Sequence, residues 1–103
     1  MDRIQSIKSF LAANPSDSFL QHALALEYIK LNNEEEARRL FEAILTRDPG
    51  YIGSYYHLGK LLERTNHPSL AIEWYEKGME QAKAAGDQHA YQELRAAYEE
   101  IAE

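Results

Sequence analysis

Leu24 to Pro49 reads LALEYIKLNNEEEARRLFEAILTRDP. Apolar residues recur at helical spacing on both sides of the polar pair Asn32-Asn33, which predicts two amphipathic helices joined by a short turn. The same order returns from Leu58 to Lys83 as LGKLLERTNHPSLAIEWYEKGMEQAK, and the offset from Leu24 to Leu58 is 34 residues. That offset brings Leu24, Ala25, Tyr28, Ala37 and Phe41 onto Leu58, Gly59, Leu62, Ala71 and Tyr75. A helix pair recurring at a fixed period of this size marks a stacked repeat.

These residues resemble the tetratricopeptide repeat (TPR) family, whose pattern is W-x2-L-G-x2-Y…A-x3-F…P. The pattern stands here as Gln21-x2-Leu24-Ala25-x2-Tyr28…Ala37-x3-Phe41…Pro49, and again as Tyr55-x2-Leu58-Gly59-x2-Leu62…Ala71-x3-Tyr75…Lys83. Gln21 replaces the pattern's large aromatic, and Lys83 replaces its proline. The resemblance implies an all-α, right-handed α–α superhelix of about six helices. The expected organisation is one domain over 1–103: an N-terminal half repeat at 2–15, repeats at 18–51 and 52–85, and a C-terminal capping helix at 87–103.

With 103 residues, 45% apolar and 27% charged, the chain has the composition of one globular domain. It lacks cysteine, so disulfide frameworks and thiolate metal sites are excluded, and a reducing compartment is expected. The net charge of −6 argues against a broad surface for nucleic-acid phosphates. Met1-Asp2-Arg3-Ile4-Gln5 lacks the form of a signal peptide, and no apolar run approaches the ~20 residues of a membrane span. A soluble, cytoplasmic protein is the resulting expectation.

Taken in order, Asp2 can cap a first helix whose Ile4, Ile7, Phe10 and Leu11 share a face. Asn14-Pro15 stops it. Ser16-Asp17-Ser18 caps a second helix with two stripes, Leu20/Leu24/Tyr28/Leu31 and Phe19/His22/Leu26/Ile29. Asn33 with Glu36 reads as a capping box, followed by a buried stripe of Ala37, Leu40, Phe41, Ile44 and Leu45. Asp48-Pro49-Gly50 is a turn. Tyr55, Leu58 and Leu62 face inward from the next helix. Pro68 suits the first position of the fifth, whose buried stripe is Leu70, Ala71, Trp74, Tyr75 and Met79. Asp87 caps a last helix in which Tyr91, Leu94 and Tyr98 repeat the earlier spacing, now offset by 36 residues. The family's small residue falls on Arg3 in the first helix and on Arg95 in the last. Both ends therefore look sealed by charge, and Met1 to Glu103 is expected to be a self-contained unit.

No catalytic motif emerges. The glycines form neither a dinucleotide fingerprint nor a phosphate loop. The four histidines do not pair at ligand spacing, so no metal or cofactor is expected. His57 and His89 are expected at the surface, and His67 in a turn.

In the resembled family the first helix of each repeat lines a concave wall that holds a peptide or protein segment. Carried over by residue, the groove comprises Phe19, His22, Leu26 and Ile29 from the first repeat. Tyr56, Lys60, Glu63 and Arg64, with Gly53, come from the second. Phe19, Leu26 and Tyr56 should form an apolar strip beside Lys60 and Arg64, suited to an apolar partner segment with an acidic neighbour. The expected role is a non-enzymatic protein–protein interaction module or adaptor. The alternatives are a self-associating structural module and, further off, a small helical enzyme or metal protein.

Overall fold

The computed structural model describes residues 2–102, so Met1 and Glu103, the outer limits of the expected domain, lie outside the described residues. Among the described residues there are six helices and no strand. They are α1 (Arg3–Ala13), α2 (Ser18–Lys30), α3 (Glu34–Arg47), α4 (Gly53–Arg64), α5 (Pro68–Ala85) and α6 (Gln88–Ile101). Contacts divide them between Asp48 and Pro49 into two compact units, α1–α3 and α4–α6.

In the first unit α2 packs against both α1 and α3. Its core is Ile7, Leu24, Ala25, Ala37, Leu40, Phe41, Ile44 and Leu45. In the second unit α5 packs against α4 and α6. Tyr55, Leu58, Leu61, Leu62, Ala71, Tyr75, Ala82, Leu94 and Ala97 are buried there. The register read from the sequence places its small residues correctly: Ala25, Ala37 and Ala71 are fully buried. A Cβ on Gly59 would stand 2.1 Å from the Tyr75 ring, and one on Gly78 would stand 2.7 Å from Tyr55 Cβ and 3.0 Å from Leu94 Cδ1. Gly78 thus lets α5 approach α4 and α6 together.

Three helix ends use one turn. Asn32, Asn66 and Gly86 hold φ of 60°, 66° and 71°. The next amide donates back five residues in each case: Asn33 N to Tyr28 O at 2.8 Å, His67 N to Leu62 O at 2.8 Å, and Asp87 N to Ala82 O at 2.9 Å. This left-handed closure satisfies the terminal carbonyls and turns the chain. Asp2, Asp17 and Asp87 cap the amides of Gln5, Leu20 and Ala90.

Several expectations are corrected. Asn33 makes no side-chain cap, so the capping box is absent. Glu36 instead takes Arg39 at 2.6 Å, one turn on. Phe10 and Leu31 are 62% and 64% exposed although each continues an apolar stripe. Leu70, Trp74 and Met79 are half-buried flanks, because the seam of α5 runs through Ala71, Tyr75, Gly78 and Ala82. His57 is half-buried beside the Tyr56 ring, 5.9 Å between centroids, and burial holds its pKa below the usual histidine value.

Candidate functional site

The first turn of α2 is pinned on both sides of Phe19. Asp17 Oδ1 accepts the Leu20 amide at 3.0 Å. Arg47, from the last turn of α3, donates to Ser18 Oγ and to Gln21 Oε1, both at 2.9 Å. Gln21 donates in turn to the Pro15 carbonyl at 3.0 Å. The residue that departs from the repeat pattern is thus the one that ties this turn together. Within it Phe19 stays 69% exposed. His22, Leu26 and Ile29 follow at helical spacing and are half-buried. The His22 ring meets Phe41 edge-on at 5.5 Å, which anchors it to the core of its unit.

The corresponding face of α4 is polar and internally engaged. Tyr75, fully buried on α5, donates its hydroxyl to Glu63 Oε2. Burial first, and the Glu63 carboxylate second, push the phenol well above the usual tyrosine range. Lys60 Nζ lies 3.8 Å from Glu63 Oε2, 3.4 Å from Glu100 Oε1 on α6, and 5.8 Å from the Tyr56 ring centre. Arg64 is exposed at the end of α4. The α4 face therefore holds a chain of contacts running from Tyr75 through Glu63 and Lys60 to Glu100. Sequence reasoning named Lys60 and Glu63 but missed Tyr75 and Glu100, which reach the site from other helices.

Two open clefts lie elsewhere. One of about 560 Å³ runs beside α5 and includes Glu73, Glu76, Lys77, Glu80 and Tyr91. The other, about 490 Å³, is bordered by Arg3, Ile4, Glu27, Lys30 and Leu31 in the first unit. Arg3 and Lys30 both reach Glu27 Oε2 at 3.0 Å. The Lys30 hydrogen bond first, with Arg3 adding to it, holds the Glu27 carboxyl below its ordinary range. Among the described residues no three His, Asp or Glu side chains converge as a metal site, and no helix is long and apolar enough to cross a membrane.

A family model described as tetratricopeptide repeat matches residues 28–98. A tetratricopeptide repeat domain protein of Salinibacter ruber is 42% identical, with a TM-score of 0.79 over 82% of this chain and 94% of its own. MamA is 25% identical, with a TM-score of 0.75 over 93% of this chain and 55% of the MamA chain. A Bordetella parapertussis protein shares the fold at 24% identity, with a TM-score of 0.84 over 99% of this chain and 89% of its own. No curated protein matches the chain significantly.

Proposed function

The chain belongs to the tetratricopeptide repeat family, and from that membership we propose that it is a non-enzymatic interaction module, an adaptor that takes a peptide or protein segment. The repeats at 18–51 and 52–85 serve one module in this reading, flanked by the half repeat at 2–15 and the helix at 87–103. A chain without cysteine suits a reducing setting such as the cytoplasm.

The observation that carries the proposal is Phe19. A large apolar side chain stands 69% exposed on a turn whose neighbours are all hydrogen-bonded. Holding an anchor in place before binding lowers the ordering cost of capture. Full burial of Phe19 against a partner would contribute ~1.5–3 kcal/mol. The charged face of α4 adds less. An acidic partner group would have to displace Glu100 from Lys60, and exposed ion pairs are worth ~0–1 kcal/mol. Apolar content in the partner therefore outweighs its charge.

Affinity capture from source cells with the wild-type chain, Phe19→Asp and Phe10→Asp tests this. Phe10 is an equally exposed phenylalanine on α1. The expected result is a partner recovered by wild type and by Phe10→Asp and lost with Phe19→Asp, all three remaining helical by circular dichroism. Recovery undiminished by Phe19→Asp would remove the site. Loss of the chain's own copies, rather than of a foreign protein, would identify self-association through the same face.

A further inference from the structure

Helices within each repeat meet through small residues. Ala25, Ala37 and Ala71 are fully buried, and Gly59 lies so close to Tyr75 that a methyl group would clash with its ring. The same register runs on into α1 and α6. Arg3 stands 34 residues before Ala37, at the place of Ala37 and Ala71. Leu94, buried like Leu58, fixes the register of α6 and puts Arg95 at the place of Ala25 and Gly59. Both arginines are exposed. Each is bound within its own unit, Arg3 to Glu27 and Arg95 to Glu99, both at 3.0 Å.

Apart from the arginines, the two faces are suited to each other. Phe10, 62% exposed on α1, occupies the place of buried Ile44. Tyr91 and Tyr98 on α6, half-exposed, occupy the places of buried Tyr55 and Leu62. Arg3 and Lys8 are the charges of α1, and it has no acid; α6 sets Glu93, Glu99 and Glu100 against Arg95. An α1 from one copy and an α6 from another thus have apolar surface and opposite charge with which to complete a helix pair. Such a contact joins unlike surfaces, so it would add copy after copy unless it closed into a ring. Completing it would drive two arginines into one seam that elsewhere admits only alanine or glycine. It would also strip both from their carboxylates.

We propose that Arg3 and Arg95 act together to prevent copies of this chain from joining through α1 of one and α6 of the next. They hold the protein as a monomer by bulk and like charge at a seam that is otherwise complementary.

Analytical ultracentrifugation from micromolar to millimolar concentration tests this on four chains: wild type, Phe10→Asp, Arg3→Ala/Arg95→Ala, and that double variant with Phe10→Asp added. Wild type is expected to remain at its 11.9 kDa monomer mass. The double variant is expected to grow to about twice that mass or more as concentration rises. Adding Phe10→Asp should return it to the monomer, because the growth needs the α1 face. Circular dichroism checks that each chain keeps its helices, as substitution at exposed positions should allow. A double variant that stays monomeric overturns the proposal. So does growth that persists with Phe10→Asp, or a wild-type chain that already assembles and is stopped by Phe10→Asp.

Discussion

The first helix pair carries Ala25, Ile29 and Phe41 where the second, 34 residues on, carries Gly59, Glu63 and Tyr75. Both aromatic rings are fully buried. A buried hydroxyl must find an acceptor, and Glu63 supplies it for Tyr75. Phe41 has no hydroxyl, so the place of Glu63 can be taken by Ile29. The packing frame is shared, and the choice of core ring sets the chemistry of the outer face. Once Glu63 is required, Lys60 pairs with its charge and Glu100 of α6 pairs with Lys60, so the α4 face is committed to holding the second unit together. On α2 the His22 ring packs on Phe41, whereas Phe19 at its start stays 69% exposed.

The comparison breaks most sharply at Gly59. Gly59→Ala gives the second pair the alanine of the first, yet a Cβ there would lie 2.1 Å from Tyr75 Cε1. Overpacking of this kind costs ~1–3 kcal/mol, more than the ~1 kcal/mol that alanine gains over glycine in a helix. Urea denaturation should therefore show a net loss, and adding Tyr75→Phe should recover part of it, since a ring released from Glu63 can shift. Equal stability of wild type and Gly59→Ala would mean that the two pairs do not differ in this way.

Tyr75→Phe on its own should cost less, ~0.5–1.5 kcal/mol at neutral pH for one hydrogen bond. Its pH dependence sharpens the comparison. The native phenol is held above the ordinary tyrosine value of about 10, so the folded chain keeps a proton that the unfolded chain releases. The stability this represents is fully present below pH ~10 and declines as pH rises beyond it. Urea midpoints of wild type and Tyr75→Phe should accordingly converge in alkaline solution. A gap that stays constant or widens would place the ionising group elsewhere.

Much of this was legible from spacing. The 34-residue register located Ala25, Ala37, Ala71, Phe41 and Tyr75 in the core because each depends on a short helical period and on residue size. What escaped depends on neighbours. Phe10 and Leu31 continue apolar stripes but remain exposed. Trp74 outranks Tyr75 in size, but a step of about 100° around α5 puts Tyr75 in the seam and Trp74 on its flank. The Asn33–Glu36 box lost to two competitors, the backbone closure at Asn32 and the pull of Arg39 on Glu36. Of the expected wall residues, the resemblance to the repeat family named the positions on α2 and α4. It could not show that Lys60 was already engaged by Glu100, 40 residues away in sequence.

The difference between an exposed Phe19 and an engaged Glu63 is tested most directly by the stabilities of Phe19→Ala and Glu63→Ala, measured side by side in urea at neutral pH. Phe19 is exposed and outside the core, so its removal should change stability by no more than ~0.5 kcal/mol. Glu63→Ala leaves the buried Tyr75 hydroxyl without its acceptor and should cost ~1 kcal/mol or more. A Phe19→Ala loss as large as that of Glu63→Ala, or a Glu63→Ala chain as stable as wild type, would contradict the account.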